Sequence, residues 1–211
     1  MKAELLSHFG DDLMVVNAAR VSVGKWKEKF DEQDAKLIHY LATHKHESPF
    51  FHPQIQFRLT APIFVARQWF RHEVGFSRNE ISRRYVDHAP TFFEPDTWRR
   101  RPNASIKQGS GSDLPEHEDF IAGCEYADAL IKAERTYDGL LALGVAPEQA
   151  RMILPQSMNT SWIETASLMA YARLCNLRIE PHAQLEIRQL AEQVAEQIEP
   201  LFPISWPELT R

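Results

Sequence analysis

The sequence reads as few strands and several long helices, a mix that agrees with an α+β fold. Leu37, Ile38 and Leu41, and later Leu190, Val194 and Ile198, recur at helical spacing. Gln54 to Thr60 alternates instead, with Ile55, Phe57 and Leu59 on one face and Gln54, Gln56 and Arg58 on the other, as a half-buried strand does. The 211 residues suit one domain, 1–211, with a probable loop insertion at about 86–119.

Residues 1–30 read as a strand-and-turn entry containing the short apolar run Leu13-Met14-Val15-Val16. Asp31 to His44 reads as a helix, because acidic residues crowd its start where the dipole is positive. Pro62 is placed to open a helix whose apolar start, Ile63 to Ala66, delivers Gln68 and Arg71 at its far end. Arg67 and Gln68 are consecutive and point about 100° apart, so only one is expected to face a ligand, and Arg67 reads as a surface or ion-paired residue. Trp98, Phe92 and Phe93 argue that part of the insertion is packed, and its Lys107-Gln108-Gly109-Ser110-Gly111-Ser112 section reads as a loop able to cover a site. Asp119 to Leu143 reads as a long helix with a buried stripe of Phe120, Cys124, Ala127, Ile131, Tyr137 and Leu141, ended by Gly144. Pro147 opens a short helix that Pro155 stops. Gln156 to Ile163 is strand-like, Thr165 to Asn176 is helical, and Pro181 starts the closing helix.

Net charge is −5, so arginine is concentrated locally against an acidic background. A general nucleic-acid binder would be basic overall. Cys124 and Cys175 are far apart, form no Cys-x-x-Cys, and each falls in a helical apolar pattern that suggests core packing. No basic-then-apolar leader and no apolar run of about 18 residues is present, so a cytoplasmic location without membrane contact is expected.

The chemistry concentrates between Arg67 and Tyr85. Those nineteen residues hold five arginines, a histidine, two glutamates, two serines and an asparagine. Guanidinium forks match phosphate and carboxylate oxygens two at a time. Beside Gln68, Asn79 and the serines they suit a phosphorylated, hydrogen-bonding small molecule. A second polar cluster, His44-Lys45-His46-Glu47-Ser48 with His52, puts three histidines and a glutamate in nine residues, yet its spacing matches no zinc pattern, and no metal site is assigned.

Gln68-x-x-Arg71-His72 followed by Ser77-x-Asn79-Glu80-x-Ser82-x-Arg84-Tyr85 resembles the signature of the flavin-dependent thymidylate synthases. Asn176-Leu177-Arg178 with His182-Ala183-Gln184-x-Glu186-Ile187 resembles that family's second signature. Ala150-Arg151 with Leu154-Pro155, and the segment from His44 to Phe50, resemble two more family segments. Two departures are plain: Glu73 stands where the family has arginine, and one extra residue precedes Ser77.

The resemblance implies a small, mainly antiparallel sheet flanked by helices, and a homotetramer with sites at subunit contacts. It implies conversion of dUMP to dTMP, with 5,10-methylenetetrahydrofolate giving the carbon and NADPH reducing FAD. Carried over by position, Gln68, Arg71, Glu80, Ser82, Arg83, Arg84, Arg151 and Arg178 would meet dUMP, with Arg178 the catalytic, ring-activating charge. His46, Ser48, Arg71, His72, Glu73, Arg78, Glu80 and Arg173 would meet the flavin, Arg78 restoring the charge that Glu73 removes. Ser167 and Arg173 occupy positions where the family often has flavin-contacting asparagines. No cysteine nucleophile is expected, since neither sulfur has the electropositive, partly exposed setting a thiolate needs. The alternatives are an arginine-cluster nucleic-acid-binding protein, whose affinity would fall steeply with salt, and a histidine-rich metal hydrolase.

Overall fold

The computed structural model describes residues 1–86, 88–102 and 109–210, so the Lys107-Gln108 part of the glycine-serine section lies outside the described residues. Four antiparallel strands form one sheet in the order β1-β2-β4-β3: β1 Lys2–Phe9, β2 Gln54–Pro62, β3 Phe76–Glu80 and β4 Asn159–Ser167. Around it lie α1 Asp12–Arg20, α2 Glu32–Thr43, α3 Ile63–Trp69, α4 Glu116–Ala142, α5 Pro147–Ala150, α6 Leu168–Arg178, α7 Leu185–Ile198 and α8 Ser205–Leu209.

The alternation in β2 does what its pattern implies. Ile55, Phe57, Leu59 and Ala61 are fully buried, and they face Ala166, Glu164, Trp162 and Thr160 across the ladder to β4. Helices α6 and α7 cover this face with Leu168, Tyr171, Leu174, Ile187, Leu190 and Val194. The opposite face is polar, where Gln56 donates to the Thr165 hydroxyl at 3.0 Å and the hydroxyls of Thr60 and Ser161 meet at 2.7 Å.

The N-terminal expectation needs correction. The apolar run at residues 13–16 belongs to α1, not to a strand, and the strand is the preceding Lys2–Phe9. Asp11 caps α1 by accepting the Met14 amide at 2.9 Å, and Asp12 reaches across to accept the amides of Ile204 and Ser205, both at 2.9 Å. Asp31 caps α2 as a capping box with Asp34. Asp34 is fully buried and pairs with Arg20 and Lys27, both at 2.6 Å.

Residues 165–167, expected to be helical, extend β4, and Ser167 then caps α6 by accepting the Ala170 amide at 3.2 Å. The long helix also departs from its expected stripe. Tyr137 and Leu130 are buried, whereas Phe120, Cys124, Ala127 and Ile131 are exposed on the single chain. The insertion packs on this helix through the Trp98 amide, which donates to Asp119 at 2.6 Å, and the Tyr126 hydroxyl, which donates to the Phe93 carbonyl at 2.5 Å. No described helix is long and apolar enough to cross a membrane.

Candidate active site

The arginine-rich run begins on α3, turns, and becomes β3. Gly75 makes the turn: its φ is +85°, and a Cβ there would stand 2.9 Å from Ala170 Cβ. Phe76 donates its amide to the Glu73 carbonyl at 3.1 Å, so the extra residue is absorbed in this turn, with Glu73 exposed. Strand β3 then pairs with β4 alone among the described strands, as an edge.

Three clusters hold most of the expected site residues. The first is a cavity of about 740 Å³ walled by Glu80, Ser82, Arg83, Arg151 and, among others, Arg67. Glu80 accepts from the Thr160 hydroxyl at 2.6 Å. Arg67, read from sequence as a surface or ion-paired residue, is exposed and also lines this cavity. Arg83 is buried, and its guanidinium donates to the backbone carbonyls of His88 and Ala89, so it pins the chain there as well as lining the wall. Arg84 is exposed and lies over the Tyr85 ring at 4.9 Å.

The second cluster surrounds Arg178. Its Nε donates to His72 Nε2 at 2.9 Å, and a terminal nitrogen reaches the Gln68 carbonyl at 3.4 Å. The Gln68 side chain turns the other way and bonds to Gln184, which donates to Glu186 at 2.8 Å. Arg99 of the insertion pairs with that same Glu186. Burial first, then the charges of Arg178 and Arg78, hold the His72 imidazole down to about 4. It is therefore neutral near pH 7 and able to accept from Arg178. Burial, followed by repulsion from Arg71, also lowers the Arg178 pKa. The positive charge of Arg71 is thus felt at Arg178.

The third cluster is a cavity of about 980 Å³ lined by His46, Ser48, Lys45, Arg20 and Ser22, with Phe51 and Pro49 as apolar wall. Arg173 reaches its rim, paired with Glu47 and over the Phe51 ring at 5.2 Å. Lys45 stands in the left-handed region, with φ 56°. Sequence reasoning missed Ser22 and Lys45, although Lys45 lies inside the His44 to Phe50 segment that carries family likeness.

Arg78 corrects an expectation. It was to stand as a cation for a flavin phosphate. Its Nε instead donates to the fully buried Glu164 at 2.8 Å, and its guanidinium lies over Phe76 and Phe70. Thus Arg78 and Arg83 are both directed at internal acceptors, and the run presents fewer outward cations than its composition suggests.

Cys175 is 1% exposed, its thiol pushed up by burial and then by Glu164, and Cys124 is an exposed residue of α4. Among the described residues no group of three or more His, Cys, Asp and Glu gathers as a metal site.

A family model described as thymidylate synthase complementing protein matches residues 4–204. A flavin-dependent thymidylate synthase of Thermus thermophilus is 40% identical over 206 residues, spanning 96% of this chain and 73% of that one. The chain belongs to the flavin-dependent thymidylate synthase family. The synthase of Thermosipho melanesiensis is 40% identical over 191 residues, with 90% and 82% of the two chains covered. Among solved structures, the UMP/dUMP methylase PolB from Streptomyces cacaoi superposes with a TM-score of 0.87 at 31% identity, covering 99% of this chain and 94% of that one, in a crystal with 5-Br dUMP. The same methylase bound with 5-Br UMP superposes equally well, at 0.87.

For a flavin-dependent synthase the third cluster has suitable chemistry. Lys45, Ser22 and Ser48 offer donors to phosphate, and Phe51 and Pro49 offer apolar contact. Arg20 keeps a buried Nε without a partner among the described residues. The residues present fit a flavin nucleotide.

Proposed function

We propose that the protein methylates dUMP at C5, taking the carbon from 5,10-methylenetetrahydrofolate and the reducing equivalents from NADPH through FAD. The balance is dUMP, methylenetetrahydrofolate, NADPH and a proton giving dTMP, tetrahydrofolate and NADP⁺, with the original C5 hydrogen lost to water. A bound reduced FAD would supply the hydride. His46, Ser48, Ser22 and Lys45 would hold it, with Arg173 at the rim.

Arg178 carries the reading. Uracil C5 is a poor nucleophile, and one remedy is to stabilise negative charge on the ring with a fixed guanidinium. His72 accepts from Arg178 Nε at 2.9 Å and so orients it, leaving other N–H groups for a ligand. Arg71 adds positive field at the same place. Glu80, Ser82, Arg67 and Arg151 would bind the nucleotide in the 740 Å³ cavity, the arginines taking the phosphate. The other route, attack by a thiolate, finds no support in a buried Cys175 with a raised pKa.

We further propose a homotetramer whose sites join residues from neighbouring protomers. Arg71, His72 and Arg178 line neither the cavity that holds Glu80, Ser82, Arg83 and Arg151 nor the one that holds His46 and Ser48. The apolar side chains that α4 leaves exposed, Phe120, Ile121 and Ile131, are suited to subunit contact.

The test is tritium release from C5-labelled dUMP with FAD, NADPH and methylenetetrahydrofolate, omitting each in turn. UMP belongs in the same assay, because the related methylase binds analogues of both nucleotides. A colourless protein that ignores both nucleotides would end the proposal.

A further inference from the structure

Strand β3 has five residues, one neighbouring strand and one large apolar side chain, Phe76. Such an edge is weakly held by its ladder alone. Yet it carries Glu80 directly into the wall of the 740 Å³ cavity, and Ser82 follows two residues later.

What grips it from inside is an ion pair. Arg78 and Glu164 are direct cross-strand partners on the buried face. Glu164 is fully buried and accepts four contacts from three groups. Arg78 Nε donates at 2.8 Å, Trp162 Nε1 at 3.0 Å, and Trp69 Nε1 at 3.0 Å to both oxygens. One carboxylate therefore joins β3, β4 and α3. The guanidinium also lies over Phe70 at 5.2 Å and Phe76 at 4.4 Å, which bracket the turn carrying Arg71 and His72.

The arrangement is poor as a device for stability alone. A terminal nitrogen of Arg78 is buried without a partner among the described residues. Apolar residues of similar volume often match or exceed the stability of a buried pair.

We propose that Arg78 and Glu164 are a positioning pair for the synthase reaction: locked across β3 and β4, they seat Glu80 and Ser82 on the nucleotide wall and fix both ends of the turn bearing Arg71 and His72. This rests on the function proposed above.

The decisive variant is Arg78→Met/Glu164→Leu, which removes both charges together. It is expected to fold, melting a few degrees below the parent because the buried Trp69 and Trp162 indole N–H groups lose their acceptor while removal of the ion pair itself costs little. Its β3 amides and that of the following Ile81, which donates to the Ser161 carbonyl at 2.9 Å, should exchange with solvent at least about tenfold faster while β2 stays protected. Its kcat/KM for dUMP should fall at least about tenfold, chiefly through KM. Glu164→Gln, which keeps volume and an oxygen for Arg78, should fall between the two, and it carries the same readouts if the double variant does not fold. Unchanged β3 exchange overturns the proposal, as does a folded double variant with parental kcat/KM. A parent that releases no tritium defeats the proposed reaction, and the exchange rates still decide whether the pair seats the strand.

Discussion

Arg178→Ala deletes a guanidinium with one good hydrogen bond, to His72 at 2.9 Å, and one long contact, to the Gln68 carbonyl at 3.4 Å. A hydrogen bond to a charged group is worth about 1.5–3 kcal/mol when fully desolvated, and Arg178 is only half-buried, so about 1–2 kcal/mol of stability is at stake. For a chain of this length that lowers the melting temperature by about 2–8 °C. The chemical loss is larger: removing one preorganised electrostatic donor costs about 100- to 1,000-fold in kcat, or ~2.7–4 kcal/mol of barrier. The variant is thus expected to fold, to keep its flavin absorbance and to lose nearly all tritium release at saturating dUMP. Arg178→Lys keeps the charge without the planar fork and should recover only part of the rate. A folded, yellow Arg178→Ala protein with a rate within about threefold of the parent would refute this assignment of the ring-activating charge.

Other consequences follow from named contacts. His72 is held at about 4, below its unfolded value near 6.5, so the unfolded chain takes up that proton first and stability falls as pH drops through this window. Melting temperatures from pH 7 to 4 should decline less steeply in His72→Gln, and equal slopes would contradict the reading. Asp12→Ala strips the caps from the Ile204 and Ser205 amides and should cost about 2 kcal/mol in thermal unfolding. Gly75→Ala meets both a positive φ and Ala170, and should destabilise by about 1–3 kcal/mol with increased exchange at the start of β3.

The local periodicities of α2, β2 and α7 were legible because each element's own residues decide its face. β3 was not. Its alternation is Phe76, Arg78, Glu80, and a largely covered arginine makes sense only once Glu164, 86 positions away, stands opposite it. The same distance in sequence hid the fate of Arg78, which the family resemblance assigned to the flavin as the charge that Glu73 removes. The start of α1 was readable in principle: Asp11-Asp12 before an apolar run is a capping signal. On α4 the apolar period was real, but a single chain supplies no surface to cover Phe120, Cys124 and Ile131. Within the site, motif spacing named Glu80, Ser82, Arg83 and Arg151 together, and one cavity gathers them. Arg67 carries the same side chain as the run's other arginines, and only its place on the cavity wall marks it out.

The central claim is methylation driven by guanidinium charge without a protein thiol. Cys124→Ser/Cys175→Ala tests it most directly, since it leaves Arg178 and its partners in place and opens only a small gap where Cys175 packs. The expected result is folded protein whose tritium release from C5-labelled dUMP stays within about twofold of the parent. Abolished release in a folded, flavin-bearing variant, or a covalent dUMP adduct on either sulfur of the parent, would contradict it.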